Sequence, residues 1–471
     1  MSANKTYDEI GIGDRASLTR VCSENDLIVF AHASGNLNPL HLPKAGMMPT
    51  EGSETVAPSM WAGSLFSAVL GNLLPGMGSL YRSQLLYFEG RAHVGDELEI
   101  AVTAREKKPD RVVLFDCTLT NQRGETICHG TAEVIAPAEK IESDVELPGL
   151  FVRPHQHFTR VIDGLAGIEP MRTAVVCPDD ENSLGGALLS WREGLIRPIL
   201  IGPAADIRKA AEGIGADLGD LEIIDVANPH KAPGQAVTLV NEGRAEAIMK
   251  GNIHSDEILR AVLSKGSGLR TERRVSHCFV LDVPGLDHLL IISDAAINIS
   301  PDLQSKVDIV QNAIDVARAI GIATPNVGIL SAVETVNPAI PSTLDAAILS
   351  KMADRGQIRG AHVDGPLAMD NAIDVEAAKT KGIRSLVAGR ADVLIVPNLE
   401  SGNMLAKELT FVANADAAGL VCGLTVPVML TSRADDEQAR LASCAVAQLY
   451  HAYTRDGRPL IQLPPRAEAA D

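Results

Sequence analysis

The residues that follow the apolar run Ala247–Met249 are suited to binding an anion. Lys250 and Asn252 come directly after the run, and Arg260 follows in a segment that Ser255 could cap as a helix. If the run is a strand of an open α/β sheet, these side chains lie near its carboxyl end, where such sheets bind ligands. Arg260 also has a simpler explanation, because a carboxylate one turn away on a solvated helix would pair with it.

A second apolar run, Pro427–Leu430, leads into the pair Ser432 and Arg433 and then into a last helix. A serine and an arginine at a helix N-terminus combine main-chain N–H groups, a hydroxyl and a planar cation. That combination suits an oxyanion or a phosphate group. Ser432 could instead do no more than cap the helix, whose positive end is favoured by the acidic residues that follow.

Three further polar loops follow predicted strands. The first, Ser267–Arg270, contains glycine and has Arg270 as its cation. The second, Asp364–Asn371, places two carboxylates around a turn. The third, Asn398–Asn403, carries amides and a carboxylate. Asp364 taken alone could be an ordinary turn residue. We expect all of these loops to meet at one edge of a parallel sheet, and this convergence favours a binding site.

In the first third of the chain, the segment Phe30–His41 places two polar side chains around a turn. Asn36 and His41 are separated by an Asn-Pro pair, which is typical of a tight turn. An apolar helix rich in glycine and serine is predicted next, over Ala57–Leu74, and Ser59 lies at its start. Free N–H groups there could hold a thioester carbonyl. The plain alternative is that His41 is a hydrogen-bonded turn residue.

Apolar runs divide the chain into two parts, on either side of the charged, proline-bearing stretch Pro137–Pro154. The alternating runs before it predict antiparallel strands of one curled sheet: Glu97–Thr103, Val112–Thr120 and Thr126–Val134. After it, short apolar runs alternate with helix-length amphipathic segments, which predicts a mostly parallel sheet with helices on both faces. These runs are Thr173–Cys177, Pro198–Ile201, Glu222–Ile224, Ala247–Met249, Leu289–Ile292, Val327–Leu330 and Val393–Val396.

Composition argues against several classes of function. The 471 residues include 42 basic and 60 acidic side chains, a net charge of −18, which disfavours a nucleic-acid partner. The aromatic residues (2 Trp, 5 Tyr and 8 Phe) are too few for stacking on bases. The seven cysteines lack the spacing of zinc sites or disulfide frameworks. We find neither a secretory signal nor a membrane-length apolar run, so we expect a soluble cytoplasmic protein without a metal site.

The first third resembles the MaoC-like, (R)-specific enoyl-CoA hydratase family, which has a hot-dog fold. The runs SGNLNPLH, SLFSAVLGNLLPGMGSLY and VGDELEI carry the likeness. In that family an Asp and a His of an S-x-D-x-N-P-x-H motif activate water for addition to a 2-enoyl thioester. Here Asn36 holds the Asp position, the His is His41, and Ser59 stands where the family has glycine. Because an amide is no base at neutral pH, the resemblance implies either hydration through His41 or a module that only holds a CoA thioester.

The last two thirds resemble the phosphate acetyltransferase/butyryltransferase family. The runs LIISDAAINISPDLQSKVDIVQNA, VDGPLAMDNA, ADVLIVPNLESGNM and LTSRADDE occur in the family's order. The resemblance implies two α/β subdomains with an active cleft between them, and acyl transfer between CoA and phosphate. CoA is then a co-substrate, and no cofactor or metal is tightly bound.

Together the two resemblances set the fold class and the domain boundaries. The fold class is an α+β hot-dog domain followed by an α/β two-subdomain phosphate acyltransferase with mostly parallel sheets. The hot-dog domain is expected over residues 1–140, a linker over 141–154 and the transferase over 155–466. Subdomain I would cover about 155–272 and 427–466, and subdomain II about 273–426.

The transferase resemblance also implies roles for individual residues. Ser432 and Arg433 match the pair that holds the acyl phosphate, and Arg260 matches an arginine associated with CoA or phosphate. The family's catalytic aspartate falls on Ala439 in a gapless comparison. The nearby carboxylates are Asp435, Asp436 and Glu437, and of these we take Asp436 as the base that activates the CoA thiol.

The expected ligands are small anions: acyl-CoA, acyl phosphate and phosphate. Lys250, Asn252 and Arg270 complete the predicted binding set, and Lys250 would help to offset the negative charge of the reacting groups. Neither nucleic acid nor membrane is expected as a partner, and the resemblance implies a homo-oligomer, dimeric or higher.

Two alternatives stay open at this point. One is a non-catalytic scaffold that binds acyl-CoA, which the lack of a clear base would favour. The other is an NAD- and metal-dependent dehydrogenase of related fold. The glycine pair Gly11 and Gly13 is no nucleotide-binding fingerprint, because it lacks the strand and helix that such a loop requires.

Overall fold

The computed structural model describes residues 4–42, 55–141, 157–431 and 435–463. The chain divides into two compact units, Met1–Arg153 and Pro154–Asp471. The linker expected over 141–154 falls at this division, and all of it except residue 141 lies outside the described residues. The bounds of the domains and of the two subdomains stay predictions.

The first unit is a five-stranded antiparallel sheet with one long buried helix. Its elements are β1 (Arg15–Val21), α1 (Glu24–Ser34), α2 (Ser59–Asn72), β2 (Leu80–Phe88), β3 (Glu97–Lys108), β4 (Val112–Asn121) and β5 (Thr126–Ile135). The strand order is β1-β3-β4-β5-β2, and every neighbouring pair is antiparallel. Helix α2 contacts β1, β2, β3 and β5. A sheet of this order wrapped around a helix is a hot-dog fold, as predicted.

Helix α2 starts where the sequence places it, with Pro58 as N-cap and Ser59 as the first helical residue. Most of its apolar side chains are buried under the sheet, and Phe66 is among the largest fully buried residues. A Cβ atom at Gly63 would lie 2.8 Å from Leu86 Cδ1, closer than side chains pack. Glycine at position 63 therefore allows the sheet to close on the helix.

The second unit alternates strands and helices. Its strands are β6 (Met171–Val176), β7 (Ile196–Gly202), β8 (Ile223–Asp225), β9 (Ala247–Lys250), β10 (Ser276–Asp282), β11 (Leu290–Ser293), β12 (Asn326–Leu330), β13 (His362–Leu367), β14 (Val393–Ile395), β15 (Asp416–Cys422) and β16 (Val428–Met429). Its helices are α3 (His157–Asp163), α4 (Glu181–Arg192), α5 (Ala204–Gly213), α6 (Ala232–Asn241), α7 (Ser255–Leu263), α8 (Leu303–Ala319), α9 (Pro341–Asp354), α10 (Met369–Ile373), α11 (Val375–Thr380), α12 (Leu399–Phe411) and α13 (Glu437–Asp456).

These strands form one mixed sheet in the order β13-β12-β14-β11-β10-β15-β16-β9-β6-β7-β8. The group from β16 to β8 is parallel throughout, and so is the group from β13 to β11. The antiparallel pairs β11·β10, β10·β15 and β15·β16 join them. The sheet is mostly parallel, as predicted, but its two parallel groups run in opposite directions.

This reversal separates the polar loops that we expected to meet. The segment Lys250–Asn252 and Thr431 lie at the carboxyl ends of β9 and β16. The segments Asp364–Asn371 and Asn398–Asn403 end or follow β13 and β14, so they lie at the opposite edge. Asp364 is moreover part of β13 rather than of a turn. The prediction of a single shared edge is wrong, because an apolar run does not reveal the direction of its strand.

Helix α13 closes the second unit and fixes one side of the carboxyl edge. It contacts α4, α8, β15 and β16, and most of its residues are buried. It begins at Glu437 because Asp436 is its N-cap, with the carboxylate accepting a hydrogen bond from the Ala439 N–H at 2.9 Å. The chain therefore passes from the end of β16 into a rigid helix within a few residues.

Candidate active site

The carboxyl ends of three neighbouring parallel strands form the candidate active site. In the sheet, β9 lies between β6 and β16, with Val176 beside Lys250 and Met249 beside Met429. Adjacent strands are about 4.8 Å apart, so the three ends lie within roughly 10 Å. Helices α4, α7 and α13 begin shortly after β6, β9 and β16. The positive ends of their dipoles favour negative charge at this edge, which the capping carboxylates Asp180 and Asp436 supply at α4 and α13.

Lys250 and Arg440 are two buried cations between the ends of β9 and β16. Lys250, 2% exposed, donates from Nζ to the Thr431 main-chain oxygen at 3.0 Å. Arg440, 1% exposed, donates from Nη1 to the Lys250 oxygen at 3.1 Å and to Thr431 Oγ1 at 2.9 Å. Burial lowers the pKa of Arg440, because its charged form loses water. The two cations fix Thr431 and place two buried positive charges at this edge.

The space for Arg440 comes from glycines in helix α4. A Cβ atom at Gly186 would collide with the Arg440 side chain, and one at Gly185 would collide with Glu437. The first turns of α4 and α13 can therefore approach closely. Asn182 adds a hydrogen bond from Nδ2 to the Asp435 main-chain oxygen at 2.7 Å.

Asp179 and Asn252 connect the ends of β6 and β9. Asn252 Nδ2 donates to Asp179 Oδ1 at 3.0 Å, and the N–H of Asn252 donates to the Cys177 oxygen at 2.7 Å. Partial burial raises the pKa of the Asp179 carboxyl, and the nearby charges of Asp180 and Asp206 act in the same direction. A half-buried carboxylate with a raised pKa is a candidate for proton transfer.

The other carboxylates at this edge have structural partners. Asp180 is the N-cap of α4 and accepts from the N–H groups of Asn182 and Ser183 at 3.0 Å each. Asp436 caps α13 and is exposed. Glu257 on α7 pairs with the His230 ring.

Ser432 and Arg433 lie outside the described residues. The chain on both sides of them is anchored at the same edge. Thr431 is held by Lys250 and Arg440, and the main chain of Asp435 is held by Asn182.

Known proteins resemble this unit strongly. Residues 231–448 match the family described as "Phosphate acetyl/butaryl transferase". A phosphate acetyltransferase of Rhizobium meliloti is 57% identical over 298 residues, which are 63% of this chain and 94% of that protein. The chain belongs to this phosphate acetyl/butyryl transferase family.

Solved structures are similar to parts of this chain. A branched-chain phosphotransacylase from Enterococcus faecalis V583 is 27% identical, covers 60% of this chain and 99% of its own, and has a TM-score of 0.51. R-Hydratase PhaJ1 from Pseudomonas aeruginosa is 36% identical over 32% of this chain and 98% of its own, with a TM-score of 0.31. The hot-dog assignment rests on the sheet order and the enclosed helix rather than on that superposition.

Two predicted arginines of the transferase lie away from the buried cations. Arg260 is exposed on α7 and pairs with Asp256 at 3.2 Å, which is the simpler explanation foreseen from the sequence. His254, not Ser255, is the N-cap of that helix. The main chain of Arg270 pairs with that of Leu424, a residue that precedes β16. Arg270 therefore lies at the amino end of β16 and not at its carboxyl end.

The first unit forms the predicted turn around Asn36 and His41. Asn36 Oδ1 accepts from the N–H of Asn38 at 3.2 Å, and His41 Nδ1 lies 2.8 Å from the Val56 oxygen. Because a carbonyl only accepts hydrogen bonds, Nδ1 carries the proton and Nε2 keeps the lone pair of a base. Ser59 is exposed at the start of α2.

Two residues of the transferase site escaped the sequence analysis. Asp179 had a usable signal, because it directly follows the predicted strand Thr173–Cys177. Arg440 had none, since a basic residue one turn into a helix usually faces solvent and only the contact with Gly186 shows its burial.

No group of three or more His, Cys, Asp or Glu side chains in the part of the chain that the structure describes is placed to hold a metal ion. No helix there is long and apolar enough to cross a membrane.

Proposed function

We propose that the second unit transfers an acetyl or butyryl group between CoA and inorganic phosphate, with CoA as a co-substrate and no tightly bound cofactor. The observation that carries this proposal is the pair of buried cations, Lys250 and Arg440, that hold the end of β16 just before Ser432 and Arg433. The family match and the 57% identical phosphate acetyltransferase support the same reaction.

In this mechanism, Ser432 and Arg433 hold the phosphate of the acyl phosphate, and the helix N-termini add N–H donors. The CoA thiol loses its proton to a carboxylate, because a thiol with a pKa near ~8.5 is mostly protonated at neutral pH. The sulfur then forms a bond to the acyl carbon, and the bond from that carbon to the phosphate oxygen breaks. The proton finally leaves with the phosphate. Lys250 and Arg440 contribute positive potential as the oxyanion forms.

Two carboxylates are candidates for the base. Asp436 follows from the family resemblance, yet its side chain already caps α13. Asp179 has the partly buried position and the raised pKa that suit a base. We favour Asp179.

The direct test mixes the purified full chain with CoA and either acetyl phosphate or butyryl phosphate, and follows thioester absorbance. We expect thioester to form with at least one of the two. Without thioester formation from either donor, the scaffold alternative would replace the transferase proposal. The ratio of kcat/KM for the two donors measures the acyl preference. Acetyl and butyryl differ by two methylenes, each worth about 1–3 kcal/mol in a pocket.

We expect Arg260→Ala to raise the KM for CoA about tenfold and to leave kcat nearly unchanged. The reason is that a hydrogen bond to a charged ligand group is worth about 1.5–3 kcal/mol, whereas the exposed pair with Asp256 is worth at most about 1 kcal/mol. Asp256→Ala is the matched control, because it frees Arg260 and should not raise KM. An unchanged KM in Arg260→Ala would remove this residue from CoA binding.

For the first unit we propose binding of a 2-enoyl-CoA thioester, with His41 as the base if the thioester is hydrated. The observation that favours this is the His41 ring, whose Nδ1 bond to the Val56 oxygen leaves Nε2 as the basic atom. The N-terminus of α2 at Ser59 would hold the thioester carbonyl.

His41→Ala is expected to slow the consumption of crotonyl-CoA by about 10²-fold, the lower range for one general base. His32→Ala is the control, because His32 is an exposed histidine of α1. An equal rate in both variants would exclude His41 from the reaction. If the parent protein consumes no crotonyl-CoA, calorimetric titration decides whether the unit binds it at all.

We also propose that the protein is a cytoplasmic homo-oligomer. The seven cysteines are free and buried, as is common in a reducing compartment. The edge strand β2 exposes Leu80, Leu85 and Tyr87, an apolar surface that an oligomer would cover. Light scattering of the purified chain tests self-association, and a monomer at micromolar concentration would refute it.

A further inference from the structure

His277 is a buried polar side chain that the mechanism above does not use. It lies on β10, between β11 and β15, and is 1% exposed. Phe279 packs edge-on against its ring at 4.5 Å. In the described part of the chain, neither ring nitrogen has a partner with full hydrogen-bond geometry. Such a group costs folding free energy, so its retention calls for a reason.

The reason lies in a missing hydrogen bond between the neighbouring strands. Strands β15 and β16 pair Leu420 with Met429, so Gly419 comes opposite Leu430. The Leu430 N–H donates to the Gly419 oxygen at 3.1 Å, as in an antiparallel ladder. The reciprocal bond would run from the Gly419 N–H to the Leu430 oxygen. The Gly419 N–H donates instead to Ser443 Oγ on α13, at 3.1 Å.

The His277 ring lies next to this missing bond. A Cβ atom at Gly419 would lie 2.5 Å from the Leu430 oxygen and 3.2 Å from His277 Nε2, so both atoms border the same small space. Burial lowers the pKa of His277 to about 4, so the ring is neutral near pH 7, although the nearby charge of Asp294 and the Leu430 main chain both favour the protonated form.

We propose that His277 is a positioning residue of the transferase, whose neutral imidazole supports the Leu430 carbonyl in place of the missing ladder bond. Leu430 is followed by Thr431 and then by Ser432 and Arg433. The ring thereby supports the strand end that directly precedes these two residues. This inference rests on the proposed roles of Ser432 and Arg433, because they make the strand end matter for the reaction.

The test compares two substitutions at position 277. His277→Phe keeps a ring of similar shape but has no nitrogen, whereas His277→Gln can place an N–H close to the Nε2 position. We expect kcat to fall about 30-fold in His277→Phe, since a shift of about 1 Å in a catalytic group costs up to about 10²-fold. We expect the KM for CoA to change less than about twofold, and His277→Gln to recover most of kcat.

Ser443→Ala provides a second and independent arm. Without Ser443 Oγ, the Gly419 N–H is released to bond with the Leu430 oxygen, which restores the ladder. The double variant His277→Phe/Ser443→Ala should therefore be more active than His277→Phe alone, a non-additive result that a purely structural role would not give. Ser443 also donates to the Ala439 oxygen, so Ser443→Ala alone controls for that loss.

The outcomes separate this inference from the proposed function. If the parent protein forms no thioester, the transferase proposal fails. Hydrogen exchange of the Thr431 amide then still tests whether His277 supports the strand end. We expect this amide to exchange faster in His277→Phe than in His277→Gln. Equal kcat in the parent and in His277→Phe would overturn the positioning role. So would equal losses of kcat and of thermal stability in both variants at position 277.

Discussion

Replacement of Arg433 by alanine is expected to lower kcat/KM for acyl transfer by roughly 10³-fold. A planar cation that binds phosphate and faces developing negative charge contributes most in the transition state, where removal of one such donor costs about 10²–10³-fold or more. The anchored neighbours Thr431 and Asp435 should keep the strand end in place without this side chain. The loss should therefore appear in kcat without a fall in melting temperature. Thioester absorbance with acyl phosphate and CoA measures it.

Two variants make the Arg433 result specific. Arg433→Lys keeps the charge but not the fork of N–H donors, so it should recover only part of the activity. Arg244→Ala is the matched control, because Arg244 pairs with Glu222 and Glu242 before β9 begins, away from the carboxyl edge. If Arg433→Ala and Arg244→Ala transfer acyl groups equally fast, the site has been assigned to the wrong residues.

Much of the fold was predictable because apolar periodicity reports burial. The runs Glu97–Thr103 and Val112–Thr120 lie within β3 and β4, and the short run Ala247–Met249 lies within β9. Strand β2 was missed because its residues, LYRSQLLYF, are mostly exposed at a sheet edge and do not alternate. Strand β15, DAAGLVC, was missed because small residues and Gly419 replace the usual β-branched side chains.

The topology of the second unit was less predictable than its elements. Strands β10, β15 and β16 reverse the direction of the sheet at its centre, and nothing in a short apolar run encodes that reversal. The two loops after β13 and β14 were therefore placed at the wrong edge. Direction depends on which strands pair, and pairing is settled by the packing of the whole sheet.

Part of the site could be found from the sequence and part could not. Lys250 and Asn252 lie at the predicted strand end, but their partners are the Thr431 main chain and the Asp179 carboxylate. Both contacts join segments far apart in the chain, so no local spacing reveals them. The burial of Arg440 likewise depends on helix α4, and it is visible only after folding.

Asp179→Asn is expected to lower kcat by about 10²-fold and to leave the protein at least as stable as the parent. An amide cannot take the thiol proton, and loss of a general base costs about 10²–10⁴-fold. The Asn oxygen can still accept the hydrogen bond from Asn252. The pKa of Asp179 is raised in the folded state, so the ionised carboxylate costs folding free energy at pH values above that pKa. This cost vanishes at low pH, where the carboxyl is protonated in both the folded and the unfolded state. Melting temperature at pH 7 should therefore stay the same or rise.

Asp436→Asn decides between the two carboxylates, because it changes the other candidate just as conservatively. Asparagine is as good an N-cap as aspartate, so helix α13 should keep its start and its stability. If Asp179 is the base, Asp436→Asn should keep kcat within about threefold. Only Asp179→Asn should then lose the acid limb of the pH–rate profile. In the parent protein that limb should lie above the ordinary pH range of an aspartate, because burial raises the pKa of Asp179. The opposite pattern, with the large loss of kcat in Asp436→Asn, would identify Asp436 as the base that the family resemblance implies. Asp179 would then serve only as the hydrogen-bond partner of Asn252.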